Sequence, residues 1–406
     1  MKKWMSGLLA LLLTLSVCAG CGEKSDGSDE SGNIYYEITG IKPDETMMSV
    51  GGLPFSAEMY YYWLAYNCSN LEYNLSMANA YTGGYSELFD ENKKILWDKE
   101  FLDGLTVGQY AKKQAEDVIE SYAALESAAS EYGVALTEED KDSMAKDLAA
   151  AKEQAGGEEK FYESLDMMGI SQETFDRISA TNYLFNHLLE MVTEEGSDFY
   201  LEPDGYNQLA AYADHILLAT TDLSEEEAAA KKETAENLLA QLQAAEDVEA
   251  LFTELADENS EDTGRASNPD GYVFGKGEMV KEFEDAAFSL EPGQVSGIVE
   301  TTYGYHIILR KDLLKKLDGD PDMKSKLESQ HLTTLLQERA EGMAVEFSDK
   351  LDSLDVSSFY ASYTEAVQAR ADTGAEDGGT PEDGGTPEDT NTGGENNNAG
   401  TEGGGE

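Results

Sequence analysis

Two histidines are the side chains in this sequence best placed to do chemistry. The chain holds four histidines and three cysteines in 406 residues. His215 lies in "AYADHILLAT" and His306 in "GYHIILR". Both stretches read as short strands, in which successive side chains alternate between faces. Ala213, His215 and Leu217 share one face of the first, with Asp214, Ile216 and Leu218 on the other, and His306 shares a face with Ile308 in the second. If the two strands neighbour each other in a small sheet, the imidazoles can face one another. A histidine on a strand is more often a satisfied core group, so it is this pairing that would mark the two out. His187 and His331 fall in helical patterns without partners and receive no role.

A second group lies in "FGKGEMVKEFEDAAFSL" (274–290). Gly275 and Gly277 allow a tight turn, and a helix is expected to open at Met279. Met279 and Phe283, at i and i+4, lie on one face, and Ala286, Ala287 and Leu290 continue the stripe. A plain core helix after a turn is the alternative reading of these residues.

These groups need elements to hold them. From about residue 212 the order is strand, helix, helix, strand, helix, strand. The first helix, "LSEEEAAAKKETAENLLAQLQAA", opens with a Ser224/Glu227 capping box. "DVEALFTELADENS" follows, then the loop "EDTGRASNPDG", the Gly-rich turn and helix above, the turn "EPGQ" and the strand of His306. With these spacings the segment closely resembles the parvulin family of peptidyl-prolyl isomerases. The residues that carry the resemblance are "HILL", "ENSED" and "FGKGEMVKEFEDAAFSLEPGQVSGIVETTYGYHIILR", over about 210–311.

The resemblance implies site residues. The family's paired histidines fall on His215 and His306, and its central Cys-or-Asp position falls on Asp262. The apolar pocket for the proline ring falls on Met279, Phe283 and Phe274, and a hydroxyl beside the second histidine falls on Thr301. The chain departs from the family in "NPDGYVF", where many relatives read Gly-Gly-Asp-Leu-Gly-Trp-Phe, which puts substrate preference in question more than the chemistry. Such a site needs no nucleophile, cofactor or metal.

The start of the chain says where this chemistry would take place. Lys2 and Lys3 precede the apolar run "GLLALLLTLSV", which is followed by "CAGC". This is the layout of a signal peptide over residues 1–20, too short for a comfortable membrane span. Ala19-Gly20-Cys21 resembles the lipobox of bacterial lipoproteins, with Cys18 where Leu is usual. By that resemblance Cys21 would become the acylated N-terminus, on the outer face of the cell membrane; a secreted protein cut near Gly20 is the alternative. Residues 21–33 would then be a lipidated tether. Cys68 is the thiol left in the mature chain. It cannot close an internal disulfide, and it lies too far from the histidines to be an acyl-transfer nucleophile.

Composition narrows the partners. The chain carries 82 acidic against 28 basic residues, for a formal charge of −54. That balance argues against nucleic acid and against an electrostatic hold on anionic lipid. It suits unfolded, basic clients, weak binding of cations, or simply solubility. From Ala371 onward there is no Lys or Arg, and 378–389 is the repeat "GGTPEDGGTPED". Residues 371–406 are therefore expected to be a disordered acidic tail.

The flanks read as helical. Ser56 is a candidate N-cap before "AEMYYYWLAYN", with Met59, Tyr62, Trp63 and Tyr66 on one face. Further helices are expected from "TVGQYAKK", from Thr137, and on either side of Gly169. After the central segment, "DMKSKLESQHLTTLLQERAEGMAVEFSDKLDSL" reads as one long helix, with an apolar stripe of Leu327, Leu335, Met343 and Phe347 that must pack back on the N-terminal helices. The expected fold is α+β. A parvulin-type small antiparallel sheet with surrounding helices (210–311) is inserted into an all-α chaperone domain built from both flanks, 34–209 and 312–370. This arrangement resembles the PrsA-type extracytoplasmic foldases of Gram-positive bacteria, which implies unfolded exported proteins containing X-Pro bonds as partners; Tyr60, Tyr61 and Tyr62 could serve as exposed client contacts, with ordinary packing of a tyrosine-rich helix face as the alternative. Three functions stay open at this point: an isomerase, a holdase chaperone with a silent parvulin module, and an acidic solute-binding lipoprotein, for which no two-lobed pattern is seen. A homodimer through the helical part also stays open.

Overall fold

In the computed structural model, which describes residues 32–376, with side chains through residue 372, the alternating stretches around the two histidines are the central strands of one sheet. Ala210–Ala219 and Gly304–Arg310 pair antiparallel, from Ala213 opposite Arg310 to Ala219 opposite Gly304. Tyr272–Gly275 adds on the outer side of the first strand and Val299–Thr301 on the outer side of the last. The period-2 alternation then sorts the side chains. Ile216, Leu218, Ile307 and Leu309 face helices Glu225–Gln243 and Val248–Asn259, which bury Leu238, Leu242 and Phe252 against them. On the opposite face Ala211, Ala213 and Ile308 meet Phe274 and helix Lys281–Ser289 through Phe283 and Ala287. Small residues on the sheet let that helix approach closely.

The caps read from the sequence recur. Ser224 and Glu227 close a capping box, and Ser56, Thr106 and Thr137 each accept a backbone N–H at the start of their helices. The helix expected to open at Met279 begins instead at Lys281. The loop keeps its own hydrogen bonds up to that point: the Gly275 and Gly277 amides donate to the Glu278 and Glu284 carboxylates at 2.8 and 2.6 Å. Met279 therefore sits in the turn, although it still packs on the Phe274–Phe283 cluster.

The flanks are helix-rich, as expected, but not helix alone. Thr46–Val50 and Leu53–Ser56 form a hairpin whose turn residues Gly51 and Gly52 take φ values of +58° and +83°, which a glycine pair adopts with little strain. The third strand of this sheet, Val345–Phe347, comes from the C-terminal flank, with Val345 opposite Val50 and Phe347 opposite Met48. The single long helix expected over 322–354 is therefore broken. Pro321–Glu341 is helical, Gly342 caps it, the strand follows, and a further helix runs Val356–Glu376. Its last turns pass residue 370, where the folded part was expected to end. Phe347, expected in the apolar stripe, is 48% exposed. A strand has a period of two, so Leu327, Leu335, Met343 and Phe347 no longer line one helical stripe, and Phe347 ends opposite Met48 at the end of the short edge strand.

Both flanks share one core. Phe359 and Tyr360 of the last helix are buried, Phe359 stacking on Tyr61 at 5.2 Å and Tyr360 meeting Trp97 at 5.1 Å. Tyr60, Tyr61 and Tyr62 are buried as well, at 0%, 1% and 7% exposure, and so are not exposed client contacts. Three consecutive buried residues mean that helix Ala57–Thr82 is surrounded in its first half. The apolar groups exposed on that helix are Tyr73, Met77 and Tyr81, spaced i, i+4, i+8 near its far end. His187, read as unpartnered, lies 2.7 Å from the capping carboxylate Asp140. Asn33, assigned to the tether, caps helix Ile34–Thr39 and donates to the Gly169 carbonyl at 2.8 Å. A further core joins the flanks to the inserted sheet, with Phe185 and Leu188 from one flank, Leu313 and Leu332 from the other, and Ala210 and Tyr212 from the first strand.

The signal peptide expected over 1–20, the lipidated Cys21 with the tether up to Ser31, and the acidic tail beyond Glu376 lie outside the described residues. No described helix is long and apolar enough to cross a membrane. Because the last helix completes the core of the first, Phe359→Ala is expected to lower stability by about 3–5 kcal/mol in urea unfolding of the whole chain. A loss under about 1 kcal/mol would mean that the helix is not part of that core.

Candidate active site

Strand register sets the site. His215 lies opposite Ile308 and His306 opposite Leu217, so the two histidines are diagonal neighbours on one face, within reach of each other's rings. Their ring centroids are 5.4 Å apart. Phe283 rises from the covering helix and presents to both, at 5.1 Å from His215 and 5.3 Å from His306 in edge-on geometry. Phe274 stands behind it at 5.8 Å, and Met279 closes the same cluster at its rim.

Asp262 arrives by a different route. The strand Tyr272–Gly275 covers the outer edge of the first strand only from Ala210 to Ala213. Further along, the segment "SED" takes its place. Glu261 N–H donates to the Leu217 carbonyl at 2.8 Å, Leu217 N–H to Ser260 Oγ at 3.1 Å and Ala219 N–H to the Glu261 carboxylate at 2.8 Å. This lays Asp262 beside His215, with Oδ2 3.6 Å from Nε2. Arg265 pins the loop to the sheet and to a helix, bonding Asp214 at 2.6 Å and Asp257 at 2.7 Å. Thr301 Oγ1 lies 2.9 Å from His306 Nε2 and accepts the Tyr303 amide at 3.1 Å.

The structure thus brings together His215, His306, Asp262, Thr301, Phe283, Phe274 and Met279. The sequence reading missed Tyr272, whose hydroxyl donates to Asp262 Oδ2 at 2.5 Å and whose ring stacks on His215 at 5.7 Å. It lies within "NPDGYVF", the one stretch that departs from the family pattern, and that departure was the available signal. Cys68 is buried in the helical part, where burial pushes its thiol well above the ordinary range.

Electrostatically the site is a neutral pair beside an anion. Burial lowers His215 below its ordinary value against the pull of Asp262. Burial, with His215 as neighbour, lowers His306 to about 4. At neutral pH the 3.6 Å contact between His215 and Asp262 is therefore not an ion pair. Asp262 is itself held below its usual range: burial opposes ionisation, but the Tyr272 hydroxyl, the Gly264 amide at 3.0 Å and both histidines outweigh it. The Nδ1 atoms of both histidines are buried without a hydrogen-bond partner.

This carries a pH dependence. The unfolded chain takes up a proton near the ordinary histidine value of ~6.5, whereas folded His306 does so at about 4. The unfolded state binds more protons between the two, so the stability that goes with a neutral His306 is complete above ~6.5 and is lost as pH falls toward 4. The unfolding free energy of the wild type minus that of His306→Asn is expected to fall between about pH 7 and pH 4.5. A difference that does not change with pH would mean that His306 titrates in the fold as it does in the unfolded chain.

Comparison with known proteins places this site in a family. Residues 215–312 match the family model described as Rotamase, PPIC-type PPIase domain. The chain is 36% identical over 166 residues to the foldase protein PrsA of Halalkalibacterium halodurans, covering 41% of this chain and 43% of that protein. It is 50% identical over 86 residues to the foldase protein PrsA of Geobacillus kaustophilus, covering 21% and 29% respectively. The matches thus span less than half the length of these relatives. Among solved structures, the parvulin NmPin of Nitrosopumilus maritimus is 34% identical, with 26% of this chain and 97% of that one covered at a TM-score of 0.20. Residues 215–312 of this chain are accordingly a PPIC-type peptidyl-prolyl isomerase domain of the rotamase family, in a chain related to the PrsA foldases.

Proposed function

We propose that this chain is a lipid-anchored foldase on the outer face of the cell membrane that accelerates cis/trans isomerisation of X-Pro bonds in unfolded or partly folded exported proteins. The observation that carries the proposal is the juxtaposition of an uncharged His215–His306 pair with the Phe283 ring and the Asp262 carboxylate on one sheet face.

The chemistry asks for little more. Rotation about an X-Pro amide meets a barrier of ~18–20 kcal/mol because conjugation must be broken, while the two isomers differ by only ~0.5–1 kcal/mol. A catalyst must bind the twisted amide better than the planar one. Met279, Phe283 and Phe274 would grip the prolyl ring, and the imidazoles, oriented by Thr301 and Asp262, would hydrogen-bond the carbonyl as its conjugation is lost. No bond to carbon forms or breaks in this scheme. The domain division we propose is an isomerase unit over 210–311 set within a helix-rich body from 34–209 and 312–370, where the relatives' printed name, foldase, suggests that clients are held. Cys21 would carry the acyl chains.

The test is NMR exchange spectroscopy on X-Pro peptides with the chain from Gly22 onward and its His215→Ala, Asp262→Ala and His306→Ala variants. Wild type should accelerate exchange, and folded variants should lose roughly tenfold or more. Absence of acceleration across a peptide panel by folded wild type would leave a holdase with a silent isomerase unit. Separately, Cys21→Ser expressed from the full sequence should move the protein from the membrane fraction to the soluble one. Retention in the membrane would overturn the lipid anchor.

A further inference from the structure

One hydroxyl at the site belongs neither to the histidine pair nor to the apolar floor. We propose that Tyr272 is a positioning residue of the isomerase site, whose hydroxyl engages the Asp262 carboxylate and so keeps that charge from favouring a protonated His215; this rests on the isomerase reading above. Oδ2 of Asp262 receives the Tyr272 hydroxyl at 2.5 Å and stands 3.6 Å from His215 Nε2, while Oδ1 receives the Gly264 amide at 3.0 Å. Both oxygens are thus engaged, and the oxygen nearer the imidazole is the one that Tyr272 holds. A charge-assisted O–H···O bond is short and strong, and it disperses the charge that would otherwise favour an imidazolium.

The same residue also orients the imidazole. The Tyr272 ring lies nearly parallel to that of His215, at 25° and 5.7 Å, so one side chain touches both the anion and the base. It does so because Tyr272 lies opposite Ala213 in the sheet, which puts it on the face of His215. One glycine leaves room for its hydroxyl and another lets its strand approach the sheet. A Cβ on Gly264 would sit 2.4 Å from the Tyr272 hydroxyl. Gly271 enters the strand at φ +93°, where a Cβ would sit 2.5 Å from the Ala213 carbonyl oxygen. Counted back from Phe274, Tyr272 falls where the pattern Gly-Gly-Asp-Leu-Gly-Trp-Phe has glycine.

The groups that face His215 bear on its charge. The loop brings Asp262 and Arg265, the neighbouring strands His306 and Tyr272, and its own strand Asp214, while the covering helix contributes the Phe283 ring. Asp214 and Arg265 are bonded to each other at 2.6 Å, which leaves Asp262 as the group that decides whether His215 is charged. Without the Tyr272 hydroxyl, Oδ2 is released toward His215 Nε2, and the imidazole takes up its proton at higher pH.

The experiment is an imidazole NMR titration of the full chain as wild type, Tyr272→Phe and Gly264→Ala, with isomerase pH profiles alongside. Phenylalanine keeps the ring and removes the hydroxyl; alanine at 264 keeps the tyrosine but pushes its hydroxyl aside, because the new Cβ would sit 2.4 Å from that oxygen. In both variants His215 should titrate at higher pH than in wild type. Their kcat/KM on X-Pro peptides should drop roughly fivefold near about pH 6 and recover near about pH 8. A merely structural role would lower activity equally at every pH. An unchanged His215 titration in a folded variant overturns the proposal, and if Tyr272→Phe does not fold, Gly264→Ala alone decides it. A shifted titration in a protein whose wild type accelerates nothing upholds the hold on the carboxylate and overturns the isomerase reading instead.

Discussion

The register between Ala210–Ala219 and Gly304–Arg310 is the constraint on which the rest of this molecule depends. With His215 opposite Ile308, and His306 opposite Leu217, the histidines share a face and lie diagonally adjacent. A slip of one residue would send His306 to the other side, among Leu238 and Phe252, and bring Ile307 to the site. The two hydrophobic faces forbid that slip. Ile216, Leu218, Ile307 and Leu309 are wanted by one pair of helices, and the alanines by the helix that carries Phe283. The packing that stabilises the sheet is thus also what aims its chemistry.

Around that pair the protein builds an environment in which histidine stays uncharged. Desolvation under Phe283 acts against the proton, and the two carboxylates that favour it are both engaged, Asp262 by Tyr272 and the Gly264 amide and Asp214 by Arg265. Asp262 reaches this position because "SED" continues the strand edge where Tyr272–Gly275 stops, so an irregular loop is fixed by ladder-type hydrogen bonds, and Arg265 pins it to Asp214 and Asp257. A site on such a loop has the precision of a sheet.

The flanks couple to this unit through covalent order as much as through contact. The chain leaves the helix-rich body, forms the sheet, and returns to add Val345–Phe347 beside Thr46–Val50 and to bury Phe359 against Tyr61. Leaving and returning at one place, where Ala210 and Tyr212 meet Leu313 and Leu332, lets each part keep its own core. The body is completed only when both flanks are present.

Much of the central unit was legible in the residues alone. Alternation around His215 and His306, the Ser224/Glu227 box and the Phe283–Ala287 spacing are local signals, because period, capping and turn chemistry act over a few residues. The hairpin at Gly51-Gly52, the break at Gly342 and the burial of Tyr60–Tyr62 were not legible, since each depends on a partner far away in sequence: Val345 finds Val50, and Phe359 finds Tyr61. Tyr272 is the sharpest instance. By itself the sequence determined a tyrosine at a departure from a pattern; only the tertiary structure decided that its hydroxyl meets Asp262. The physical reason is that a hydrogen bond depends on distance and direction in space, which strand register and loop closure set and spacing along the chain does not.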